Sequence, residues 1–173
     1  MQSMHPKVKK GLGLANKSIF EIRTIIDDMR IKTVGGITTA LLLWESCTLQ
    51  VLLHNSSTWL DMKKKDVEKL VKLQNLFLNT TLGVQNCPAL FMLWELGILS
   101  IPLRLLKEKL LLYHHVSTLS EESLARRILE TQERLHFPSL RDEVVDFLAK
   151  YEVYDMKKFS KEKLESFCQR KNS

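Results

Sequence analysis

Apolar residues recur along this chain at spacings of three and four, the period of an α-helix, and no segment alternates for more than a few residues as a strand would. Ile19, Ile22, Ile26 and Met29 form the first stripe and predict a helix from about Asn16 to Arg30. Gly35-Gly36 breaks it, and a second helix is expected from about Ile37 to Leu53. After the turn signal Asn55-Ser56-Ser57, Asp61 can cap a third helix with the stripe Val67, Leu70, Val71, Gln74, Phe77 and Leu78. Gly83 stands where a left-handed helix end would fall. A short helix, Ala89 to Leu96, follows Pro88 and stops at Gly97. Ser100 opens a fifth, with Leu103, Leu106, Leu110 and Tyr113 on one face.

Thr118 and Glu121 have capping-box spacing, with Ser120 a second candidate cap, ahead of a sixth helix carrying Leu124, Ile128, Leu129 and Leu135. Its exposed side offers the pairs Glu122 to Arg126 and Glu130 to Arg134. Pro138-Ser139 starts a seventh helix with Leu140, Val144, Leu148 and Tyr151 inward, and Ser160 caps the last, which holds Leu164, Phe167 and Cys168. The expected fold is all-α, an irregular bundle of about eight helices in one body. Residues 1–155 would form the helical domain, and 156–173 a basic C-terminal helix or tail, loosely attached.

The stretch from Ile37 to Leu53 is apolar enough to raise a membrane span. It is only 17 residues long and contains Glu45, Thr38, Thr39, Ser46, Thr48 and Gln50, so it reads as a core helix and no membrane partner is expected. Three cysteines, Cys47, Cys87 and Cys168, sit 40 and 81 residues apart, which fits neither a disulfide framework nor a zinc ribbon. Buried reduced thiols in an intracellular protein are the expectation, and the first residues carry no apolar signal core.

No catalytic constellation emerges. Gly11-Leu12-Gly13 begins a dinucleotide fingerprint but lacks the third Gly and a preceding strand, so it reads as a loop leading into the first helix. His114 and His115 are adjacent, about 100° apart on a helix, and cannot chelate one ion as an i,i+4 pair would. Asp27-Asp28 falls late in an amphipathic helix rather than in the tight hairpin that presents two carboxylates to metal ions. No enzyme, cofactor or metal is expected.

Charge is what remains. The chain has 173 residues with 26 Lys+Arg against 20 Asp+Glu, a net charge of +6. Lys7, Lys9, Lys10 and Lys17 gather near the start, Lys63-Lys64-Lys65 opens the third helix against its dipole, and Arg104, Lys107 and Lys109 stud the fifth. Side chains of this kind neutralise phosphates and release counterions, which gives non-specific, salt-sensitive binding.

Three stretches resemble the region that follows the palm in reverse transcriptases of non-LTR (LINE-type) retrotransposons. The first is Val8-Lys9-Lys10-Gly11-Leu12-Gly13 with Ile19-Phe20-Glu21-Ile22. The second is Leu52-Leu53-His54-Asn55-Ser56-Ser57-Thr58-Trp59 with Lys64-Lys65-Asp66-Val67-Glu68-Lys69-Leu70, running on to Gly83. The third is Pro88-Ala89-Leu90-Phe91-Met92-Leu93-Trp94-Glu95-Leu96-Gly97 with Ile101-Pro102-Leu103-Arg104. The resemblance spans roughly two-thirds of the chain. It implies a thumb and C-terminal helical segment that grips a template–primer duplex, with Lys7, Lys9, Lys10, Lys17, Arg104 and Lys107 on its backbone. The palm's aromatic-x-Asp-Asp hairpin and the downstream Cys/His knuckle are not in this sequence, so polymerase activity is not implied. The expected partner is an RNA/DNA duplex, or a separate palm and fingers domain. The alternative is a helical protein-interaction domain with no nucleic-acid role, docking through Met92, Trp94 and Leu96.

Overall fold

Pro6 has no amide hydrogen to lose in a first turn, and the first helix, α1 (Pro6–Asp28), starts on it. The computed structural model describes residues 6–28, 34–60, 62–84, 87–135 and 139–150. α1 therefore begins ten residues before the expected Asn16, and Gly11 and Gly13 lie inside it rather than in a leading loop. The reason is close packing. A Cβ on Gly11 would stand 3.1 Å from the Leu52 carbonyl oxygen, so the missing side chain lets the two backbones meet. Gly11, Ala15 and Ile19, four apart, form the buried stripe of α1.

The second rod consists of α2 (Val34–Leu43), a π-helical turn at Trp44–Thr48, and α3 (Leu49–Leu52). In the π turn the Leu49 amide donates to the Trp44 carbonyl, five residues back. Buried positions here run every fourth residue: Gly36, Ala40, Trp44, Thr48 and Leu52. On a regular helix such a stripe drifts by about 40° per step, and the wider turn takes up that drift. α1 packs on α2, the π turn, α3 and α4 (Lys64–Leu82). Trp44 stacks on Phe77 of α4 with ring centroids 4.3 Å apart and planes 9° from parallel. The hydroxyls of Ser18 and Thr48 hydrogen-bond at 2.6 Å. By length and composition the helical stretch Gly35–Thr58 could cross a bilayer. Its inward side chains pack on α1 and α4, but only 39% of its apolar window is buried and Leu42 and Val51 are exposed, so it is less enclosed than the expected core helix.

α4 starts at Lys64 with Lys63 in extended conformation before it; the expected cap Asp61 lies outside the described residues. Asp66, in the first turn and 3% exposed, lies 3.5 Å from Lys69 and offsets the three lysines at the positive end of the dipole. Leu73 and Asp66 are buried where Val67 and Val71 are half-buried, a slight rotation of the expected stripe. Gly83 ends α4 at φ +63° and Gly97 follows α5 (Ala89–Glu95) at φ +62°, as the punctuation predicts. Gln74, buried on α4, donates to the Leu99 carbonyl at 3.0 Å and accepts from the Ile101 amide at 3.0 Å.

α6 (Ile101–Thr118), α7 (Leu124–Arg134) and α8 (Leu140–Lys150) complete the described chain. Leu110, Leu129, Leu140 and Val144 form their buried centre, with Leu60, Leu106 and Val116 against it. Thr118 does not cap α7: its hydroxyl donates to the His114 and His115 carbonyls and belongs to the end of α6. Arg126 pairs with Glu130 at 2.9 Å and Glu121 at 3.6 Å instead of with Glu122. α8 has a capping box: the Ser139 amide donates to Asp142 Oδ2 at 3.0 Å, and the Asp142 amide to Ser139 Oγ at 3.3 Å.

Counting 34–52 as one rod, the described residues form seven helices and no strand, the all-α class that the periodicity predicts. The eighth expected helix, the boundary near 155 and the segment 156–173 lie outside the described residues. Over the span read as one body from sequence, the helices gather into two compact units. Unit one is Met1–His54 with Met62–Ile101, and unit two is Asn55–Asp61 with Pro102–Ser173.

Candidate nucleic-acid interface

The division into units redistributes the charge. Unit one holds 12 of the 26 Lys+Arg and 7 of the 20 Asp+Glu, a balance of +5; unit two holds the other 14 and 13, a balance of +1. The basic character of the chain therefore sits almost wholly in unit one.

Four of the six expected contacts belong to α1 in that unit. Lys7 is in its first turn, with a side chain outside the described set; Lys9 and Lys10 are exposed. Lys17 is 77% exposed and lies 3.8 Å from Glu21, a surface pair weak enough to yield to a phosphate. On a helix of 3.6 residues per turn, positions 9, 10 and 17 fall within about 100° of arc, opposite the buried stripe of Gly11, Ala15 and Ile19. Lysines at 9, 10 and 17 are thus brought onto one face.

Arg104 and Lys107 are elsewhere, on α6 in unit two. Arg104 is half-buried, its Nε is shut off from solvent, and it is already engaged. Lys107 is half-buried, and Lys109 is buried and ion-paired to Glu143 of α8. Of the α6 cations, Lys109 is thus spent within unit two, and Arg104 and Lys107 are less open than the lysines of α1. Lys63, Lys64 and Lys65, a run outside the six expected contacts, are all exposed in unit one.

Apolar surface is the competing feature. On α5, Leu90 is 79%, Phe91 54% and Trp94 57% exposed, whereas Met92 is buried and Leu96 half-buried, so only Trp94 of the three expected docking residues is open. In unit two, Leu124 and Ile128 of α7 and Leu135 just after it line a shallow groove of about 410 Å³ with Arg127, Thr131 and Gln132. Cys47 is exposed and Cys87 half-buried, unlike the buried thiols expected; Cys168 lies outside the described residues. Among the described residues no three His, Cys, Asp or Glu side chains converge as metal ligands would. The backbone at Asp27 and Asp28 is helical.

No family model matches the chain, and neither a curated protein nor a solved structure matches it.

Proposed function

We propose that this chain is a non-catalytic, intracellular helical domain of the kind that follows the palm in a LINE-type reverse transcriptase, and that it holds template–primer nucleic acid by its phosphate backbone. The single observation that carries the reading is the placement of five of six net positive charges in unit one, with Lys9, Lys10 and Lys17 exposed on one face of α1. Cations fixed on rigid helices neutralise phosphates without reading bases, which suits an element that must follow any template. Lys63, Lys64 and Lys65 add three exposed cations to the same unit. Arg104 and Lys107, half-buried in unit two, carry little of the phosphate contact in this reading.

The test is titration of a labelled RNA–DNA hybrid duplex at 50 and 200 mM salt. Neutralising about four phosphates would weaken binding on the order of 100-fold between the two. Folded protein with no binding at the lower salt overturns the reading. The exposed Leu90, Phe91 and Trp94 favour a second reading, a surface for another protein domain. A monomer that binds no apolar dye would refute that one.

A further inference from the structure

Phe20 is 70% exposed, although its neighbour Ile19 is 6% exposed and Ala15 is fully buried on the opposite side of α1. The helix has therefore turned Gly11, Ala15 and Ile19 inward and left its aromatic ring in water. The ring is not isolated. Lys17 lies one turn before it, as close as i,i+3 neighbours come, and Lys9 and Lys10 lie about 15 Å back along the same face. Thr24, one turn after it, is exposed and turns its hydroxyl inward onto the Phe20 carbonyl at 3.1 Å. Between the lysines stands Gly13, where an added Cβ would find nothing within 4 Å. The face is thus a row of cations, a bare gap and a flat ring.

We propose that this face of α1 binds single-stranded nucleic acid, with Lys9, Lys10 and Lys17 on the phosphates and Phe20 stacked on an unpaired base. The inference rests on the backbone-binding reading and deepens it by naming the state of the strand. Lysines alone serve duplex and single strand alike. An exposed ring gains nothing from a duplex, whose base faces are covered by their neighbours, but it offers a stacking surface to any unpaired base. The bare backbone at Gly13 admits the strand close to the helix axis. Glu21, which pairs with Lys17 in the free protein, releases it when a phosphate arrives.

The experiment compares the full chain with Phe20→Ala and Phe20→Tyr, using a labelled 15-nucleotide single strand and a hybrid duplex at low salt, with circular dichroism to confirm folding. Phe20→Ala is expected to weaken single-strand binding roughly five- to 150-fold. Duplex binding should change less than about twofold, and Phe20→Tyr should keep both, because the tyrosine ring still stacks. Unchanged single-strand binding by Phe20→Ala overturns the inference and assigns the ring to an apolar protein partner. Equal losses on both ligands overturn it as well. Wild-type binding to duplex but not to single strand refutes this inference alone; binding to neither refutes the backbone reading with it.

Discussion

Gln74 holds unit one together through two hydrogen bonds that no apolar residue can replace. Its amide, on a side chain with 1% of its surface in water, donates to the Leu99 carbonyl and accepts from the Ile101 amide. In Gln74→Leu the shape is nearly kept but both backbone groups lose their partner. Ile101 is fully buried, so its N–H is left without a substitute at a cost of about 1–3 kcal/mol. Leu99 is half-buried, and the loss of one ordinary hydrogen bond there is about 0.5–1.5 kcal/mol. The sum, less what the apolar side chain recovers by burial, is about 2–3 kcal/mol. Gln74→Glu tests the direction of the bonds. A carboxylate accepts from Ile101 but sets oxygen against oxygen at Leu99, whereas the protonated acid donates there. Its folded pKa is then raised above the unfolded value, so the folded form binds more protons and stability falls as pH rises through that interval. Urea denaturation of both variants, followed by circular dichroism, reads these changes. Gln74→Leu within about 0.5 kcal/mol of wild type would refute the reasoning.

Two other perturbations separate packing from chance. Gly13→Ala should stabilise by about 0.5–1 kcal/mol, since nothing lies near the new methyl, whereas Gly11→Val should destabilise by about 1–3 kcal/mol against the Leu52 carbonyl; thermal unfolding of the pair checks both signs. Glu143→Ala strands the buried Lys109 ammonium and should cost about 2–3 kcal/mol, and adding Lys109→Met should recover most of it. A double variant no more stable than Glu143→Ala would contradict the assignment.

The helices were legible because burial on one side leaves a period. Gly83 and Gly97 were legible because only a left-handed residue explains a glycine at a helix end. The start of α1 was not, because Gly11 works through Leu52, about forty residues away, and local propensity reads a glycine only as a breaker. The π turn at Trp44–Thr48 has no sequence mark apart from the every-fourth burial it serves. In the candidate site, Lys9 and Lys10 stand before the expected helix start at Asn16, so their common face with Lys17 follows only from the earlier start of α1 at Pro6. Arg104 and Lys107 were equally basic in sequence, but nothing local told that α6 would half-bury them, or that its Lys109 would be spent on Glu143. Nothing in the sequence marks Phe20 as exposed, because a stripe is read from its apolar members and this one sits on the other side.

The most direct measurement is the salt dependence of hybrid-duplex affinity for three proteins: wild type, Lys9→Ala/Lys10→Ala/Lys17→Ala, and Arg104→Ala/Lys107→Ala. Each lost phosphate contact flattens the log–log slope by about 0.9. The account predicts a slope shallower by about two to three for the α1 variant and little change for the α6 variant. Equal slopes in all three proteins, or a steeper loss from the α6 variant, would contradict it.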